Sequence, residues 1–240
     1  GDELSLRHYT WWARVATGLL PTLVLCWFLL GRLSRSFSRA PAVAAVAVYA
    51  LATPAAAYAH LAYGHQLAAA LLFIGITLSV EATTLDPTAS STRARVLRAL
   101  GGAALAGAAV TVEYGAVFAG IPLGLFLVWR ARARHQMPIT LAALLGASIP
   151  VALLAAYHRA VYGSVFSTGY HHVTNPDFAE KHGQGFLGLS APTWDGFYTH
   201  VLAPDAGLLW WAPLFPLAIY GLVKACGHRD NPAFSQARVF

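Results

Sequence analysis

Seven apolar blocks, at about residues 11–31, 41–57, 66–82, 99–112, 115–129, 138–157 and 207–223, divide this 240-residue chain. Most approach the roughly 20 residues that a helix needs to cross a hydrocarbon core. No other feature constrains the fold as strongly. Inside lipid every backbone polar group has to find its partner within the protein, and a helix meets that demand locally. Charged residues make up only 11% of the chain, whereas a soluble domain carries roughly 25% to solvate its surface. The expected fold class is therefore all-α: one polytopic transmembrane helix bundle over residues 1–240, with about seven spans. Within it, residues 158–206 are expected to form a long ordered loop outside the cytoplasm.

Charge orients the bundle. Arg32, Arg35 and Arg39 follow the first block, and Arg93, Arg95 and Arg98 lead into the fourth. Arg130, Arg132 and Arg134 follow the fifth, and Lys224, Arg229 and Arg238 follow the last. These are twelve of the 16 basic residues; only Arg7, Arg14, Arg159 and Lys181 fall on the other side. By the positive-inside rule the arginine-rich side is cytoplasmic and the N-terminus lies outside. The expected location is a cell (inner) membrane, with several passes. Nucleic acid is not an expected partner, because the basic residues are dispersed between apolar blocks and form no stripe. Cys26 and Cys226 sit toward the reducing side and are too few for a thiolate metal cage. The chain opens at Gly1 with Asp2 and Glu3 and lacks a basic leader region. It reads as a fragment whose upstream part is missing.

Residues 99–129 carry Glu113 as their single charge, with arginine clusters at both ends. One helix of that length would reach about 46 Å at 1.5 Å per residue, well beyond a core of about 30 Å. The stretch is predicted to turn back at Glu113-Tyr114-Gly115. A carboxylate there is costly unless it meets water, a partner or a ligand. It serves either as a base, metal ligand or ligand contact, or as a cap on the turn. Glu81, at the cytoplasmic end of its block, reads as solvated at the interface. Gly101, Gly102, Ala103, Ala106 and Gly107 permit close helix contact. Pro54 interrupts the second block.

Eight of ten histidines and seven of ten acids fall on the outer side. That concentration suits acid–base work or anion binding beside a wet interface. His171, His172 and His182 with Glu180 are conceivable metal ligands, but no HExxH or paired CxxC spacing is present. No organic cofactor is implied, and a divalent metal stays open. Gly183-Gln184-Gly185-Phe186-Leu187-Gly188 matches GxGxxG in letters only, because no strand precedes it and no helix opens after it.

Several stretches, in order, resemble the bacterial GT-C-type glycosyltransferases related to protein O-mannosyltransferases and lipid A aminoarabinose transferases. They are Ala52-Thr53-Pro54-Ala55-Ala56-Ala57-Tyr58-Ala59 with Tyr63-Gly64-His65, and Val112-Glu113-Tyr114. Next come Ala156-Tyr157-His158-Arg159 running to Ser164, and Ser167-Thr168-Gly169-Tyr170-His171. Gly185-Phe186-Leu187-Gly188-Leu189-Ser190 and Gly207-Leu208-Leu209-Trp210-Trp211-Ala212-Pro213 complete the series. The resemblance implies transfer of a sugar from a polyprenyl-phosphate carrier in the bilayer to an acceptor outside the cytoplasm. It makes Glu113 the catalytic candidate, as base toward the acceptor. Tyr58, His65, Arg159, Tyr170, His171 and His172 become donor or acceptor contacts. Relatives carry a catalytic Asp in an outer loop that would precede this chain, and often an Arg where Ala206 stands. Phosphate contact would then fall to Arg159, Lys181 or the histidines. The rival reading is a polytopic transporter or solute-binding membrane protein with an outward-facing cavity, although no inverted repeat is visible. A non-catalytic assembly subunit is a third.

Overall fold

The computed structural model describes residues 2–85, 90–134, 136–183, 191–205 and 207–227. Among them every regular element is helical and no strand occurs. The chain divides into two compact units, Gly1–Val151 with Ala218–Phe240 and Ala152–Leu217, counting in each only the described residues.

In the first unit, α1 (Asp2–Arg14) passes through a π turn at Val15–Leu19 into α2 (Leu20–Ser36). Then follow α3 (Arg39–Leu51), the single turn α4 (Ala55–Tyr58), α5 (His65–Thr84), α6 (Thr92–Val112) and α7 (Val117–Ala133). The long α8 (Met137–Tyr162) starts in this unit. Among the described residues five helical stretches are long and apolar enough to cross a membrane: Ser5–Ser36, His65–Thr84, Thr92–Val112, Tyr114–Ala133 and Met137–Tyr162. Arg39–Leu51 and Phe215–Lys224 are apolar but shorter.

Two of the seven sequence blocks are thus broken. Pro54 offers no N–H and disfavours helical Thr53 before it, so α3 stops at Leu51. Thr53 Oγ1 donates to the carbonyl oxygen of Tyr49 at 2.6 Å and accepts from the N–H of Ala55 at 3.2 Å, satisfying backbone groups on either side of the break. In the last block Pro213 acts in the same way. The helix α11 (Leu208–Trp211) ends before it, and α12 (Phe215–Gly227) begins after it.

The hairpin expected at Glu113 is present. The helix α6 ends at Val112, Glu113 is extended, and a 3-10 turn over Tyr114–Ala116 leads into α7. Its arms are longer than the apolar blocks, because Arg93, Arg95 and Arg98 are themselves helical.

Direction follows from the contacts. Arg95 Nε, near the start of α6, donates to the carbonyl of Ala82 near the end of α5 at 3.1 Å. Arg130 Nε at the end of α7 reaches Thr83 Oγ1 at 3.1 Å, and Arg134 Nη1 reaches the Thr83 carbonyl at 2.7 Å. The helices α6 and α7 therefore run opposite to one another, and the end of α5 lies among arginines. Here α2 also ends, with Arg32 Nη1 paired to Glu81 Oε1. Glu81 is 7% exposed, which corrects the expectation of a solvated interfacial carboxylate. It is held because a neighbouring helix brings a guanidinium to it, something no spacing in one segment reveals.

Close approach of α5 and α6 depends on small residues. A Cβ on Gly75 would stand 2.5 Å from the Gly102 carbonyl oxygen, and one on Gly102 would stand 2.6 Å from that of Gly75. Ser79 Oγ donates to the carbonyl of Gly75 at 2.9 Å, so its hydroxyl is satisfied inside the contact. Ala82, Ala99, Ile139 and Ala142 form the buried core where α5, α6 and α8 meet.

The second unit contains the end of α8, a 3-10 turn at Gly169–His172, α9 (Pro176–Gly183), α10 (Trp194–Phe197), a π turn at Tyr198–Leu202 and α11. The helix α8 continues through His158 and Arg159, which the sequence placed in a loop. It ends at Gly163, whose φ of 77° suits glycine and whose N–H reaches the carbonyl of Arg159 at 3.1 Å.

Candidate functional site

At the end of the first unit opposite Arg32, Arg95, Arg130 and Arg134, three of the residues singled out from sequence come together. Gly64 precedes the first turn of α5, and a Cβ there would lie 2.7 Å from Val112 Cγ1 and 3.2 Å from Glu113 Oε1. The absence of a side chain lets the α6–α7 turn close onto the start of α5. His65 Nδ1 then lies 2.9 Å from Glu113 Oε1, with side chains 48% and 27% exposed. The Tyr58 ring meets His65 edge-on at 4.8 Å, and Tyr63 stacks on it at 5.7 Å. The two tyrosine rings are 6.5 Å apart.

Glu113 is extended and makes no side-chain bond to the 3-10 turn that it precedes. Its own N–H goes to the carbonyl of Ala109 at 2.9 Å. The turn is therefore closed by backbone alone, and the carboxylate is turned to His65 instead of capping. An imidazole hydrogen-bonded to a carboxylate in a half-exposed, aromatic-walled recess can orient that carboxylate and take part in proton transfer.

The recess is framed by neighbours outside the set of expected donor and acceptor contacts. Tyr63 is one. Gly18, in the π turn, is another: a Cβ there would stand 2.7 Å from the carbonyl oxygen of Ala59 and 2.9 Å from that of Tyr58. Beside that contact lies a hollow of about 230 Å³ lined by Trp11, Arg14, Val15, Leu19, Ala59 and His60. Arg14 and His60 bring cationic and hydrogen-bonding groups to the segment that carries Tyr58. A single outer-side Arg within an apolar block was the available signal for Arg14. Below the recess, Tyr49 donates to Gln66 Oε1 at 3.1 Å, which satisfies a 4%-exposed amide.

The other four candidates belong to the second unit. Arg159 Nη1 donates to the carbonyl of Gly163 in the turn ending α8. His171 Nδ1 accepts from the N–H of Thr168 at 3.1 Å, closing a capping box. His172 Nε2 lies 3.0 Å from Ser167 Oγ, and its ring stacks on Tyr162 at 4.6 Å. Tyr170 is part of the same 3-10 turn. The Arg159, His171 and His172 side chains hold local turns together, and the His171 and Arg159 bonds account for donors and acceptors expected to meet a ligand.

Among the described residues no group of three His, Cys, Asp or Glu is placed to hold a metal ion. His65 and Glu113 supply two ligands, short of such a set. The GxGxxG-like stretch beyond Gly183, Ser190 and Ala206 lie outside the described residues, as do the side chains of Lys181 and His182. Among the described residues the fold is all-helical, with five helices long and apolar enough to cross a membrane and a carboxylate–imidazole pair at one end of the first unit. Compared with known proteins, the chain matches no family model, no curated protein and no solved structure.

Proposed function

We propose that this chain is the membrane module of a transferase that moves a sugar from a polyprenyl-phosphate carrier to an acceptor hydroxyl outside the cytoplasm. The observation that carries the proposal is the Glu113–His65 pair, at 2.9 Å, in a recess walled by Tyr58 and Tyr63. Glu113 takes the acceptor's hydroxyl proton while His65 holds it in position. The acceptor oxygen bonds to the anomeric carbon, the bond from that carbon to the phosphate oxygen breaks, and the lipid phosphate leaves with the electron pair. Arg14 and His60, beside Tyr58, are suited to stabilise that leaving charge. First-unit residues alone support this mechanism; Arg159, Tyr170, His171 and His172 enter through the resemblance.

In this reading the arginine end faces the cytoplasm. The helix α3 makes a further crossing despite its length, because α2 and α5 run the same way and the chain returns between them. With α12 the crossings number about seven, in a cell membrane. The test is direct. Protein reconstituted in vesicles should consume a polyprenyl-phosphate sugar from a panel of such donors and leave nucleotide sugars untouched. Movement of a solute across sealed vesicles with no turnover of any lipid-linked sugar would overturn the proposal in favour of a transporter.

A further inference from the structure

At the arginine end, positive charge exceeds what the protein itself neutralises. Among the described residues Glu81 is the one carboxylate there, and it meets two guanidiniums. Arg32 Nη1 pairs with Oε1, and Arg98 Nη1, from α6, lies 3.7 Å from Oε2. Arg35, one turn after Arg32 on α2, adds a third like charge that bears on Arg32 along with Arg98. Arg32 is nine-tenths buried, paired with Glu81 and over the Phe28 ring at 4.7 Å, so the uncompensated charge sits on the exposed Arg35 and Arg98.

Against these groups lies a hollow of about 340 Å³ lined by Trp27, Phe28, Leu30, Gly31, Arg32, Ser34 and Arg35. Its floor is aromatic and aliphatic, and its rim carries two guanidiniums and a hydroxyl. Gly31 is exposed along it, and a Cβ there would meet nothing within 4 Å. Trp27 is 76% exposed, as an indole at a membrane–water boundary would be. An apolar floor with a cationic rim at a helix end matches an amphiphile with an acidic head. Guanidiniums favour phosphate because they can give it paired hydrogen bonds.

We propose that this hollow binds the phosphate headgroup of an anionic phospholipid from the adjoining leaflet, with Arg35 and Arg98 neutralising the head and Trp27 and Phe28 packing on the first methylenes. The site is independent of the transferase reading, since it lies at the other end of the first unit from Glu113.

The experiment compares lipid retained after purification, and thermal stability on adding back lipid, for the whole chain and four variants. Phosphatidylglycerol vesicles should raise the melting temperature, and phosphatidylcholine vesicles or inorganic phosphate should not. Arg35→Gln and Arg98→Gln should each weaken phosphatidylglycerol retention about fivefold, the worth of one basic residue near an anionic surface. Both side chains are exposed or half-exposed, so the Arg32–Glu81 pair and the fold should persist. Gly31→Leu keeps every charge and puts a side chain into the hollow from an exposed position where a Cβ meets nothing within 4 Å, and it should also abolish retention. Arg132→Gln, exposed on α7 at the same end, should leave retention unchanged. Equal loss in Arg132→Gln would mean that general surface charge binds the lipid, and would overturn the site. Full retention in Gly31→Leu, or an equal response to inorganic phosphate, would overturn it too.

Discussion

Glu113 and His65 show how a few atoms separate a functional carboxylate from a structural one. The turn after α6 already closes through backbone bonds, so nothing in the turn requires an acid at Glu113. Glu113→Gln preserves shape and a hydrogen bond to His65 while removing the base. Transfer should fall tenfold or more, about 1.4 kcal/mol in the barrier, with membrane insertion and melting unchanged. Unchanged turnover with a lower melting temperature would assign the pair to structure. Glu81 makes the opposite case. Its partner Arg32 is buried, so Glu81→Ala strands a guanidinium and should cost about 3–5 kcal/mol. Replacing both, with Arg32→Met and Glu81→Leu, should recover most of that loss in detergent melting. If the double variant melts as low as the single one, the charge itself is not what Glu81 compensates.

At the scale of elements, the first unit is assembled by glycine. The small residues of α6 looked equivalent in sequence, yet they are not. Gly102 faces Gly75 across the α5–α6 contact and a Cβ on Gly107 would stand 2.6 Å from the Ala147 carbonyl oxygen, whereas one on Gly101 would meet nothing within 4 Å. Gly102→Leu should therefore force α5 and α6 apart and lower the melting temperature sharply, a loss in the range of about 1–3 kcal/mol for overpacking. Gly101→Leu should be silent. Equal melting of the two variants would remove the helix contact from consideration. Pro122 in α7 and Pro150 in α8 sit inside helices at positions where a membrane bundle tolerates them. Pro150 Cγ is also one of the atoms that a Cβ on Gly107 would strike.

For the whole molecule the orientation predicts accessibility. With Cys26 and Cys226 replaced, single cysteines at Ser36, Ser91 and Gln136 should resist impermeant thiol reagents in intact cells. A cysteine at Thr199 should react. Labelling at Gln136 from outside would put the end of α7 on the wrong side and sink the hairpin orientation.

What the sequence by itself determined is the set of apolar helices, the turn at Glu113 and the gathering of arginines at one end. Each is a one-dimensional property, because bilayer crossing is decided by run length and by where charge stops the run. Proline placement was also legible, although its effect on the second and last blocks was larger than a count of apolar residues allows. Only the tertiary structure decided which residues meet. Glu113 finds His65, Glu81 finds Arg32, and Gly102 rather than Gly101 finds Gly75. Helices that are apolar all round show no stripe to say which side turns inward. Their rotation is settled by close packing with neighbours distant in sequence, and so is the partner of every buried charge.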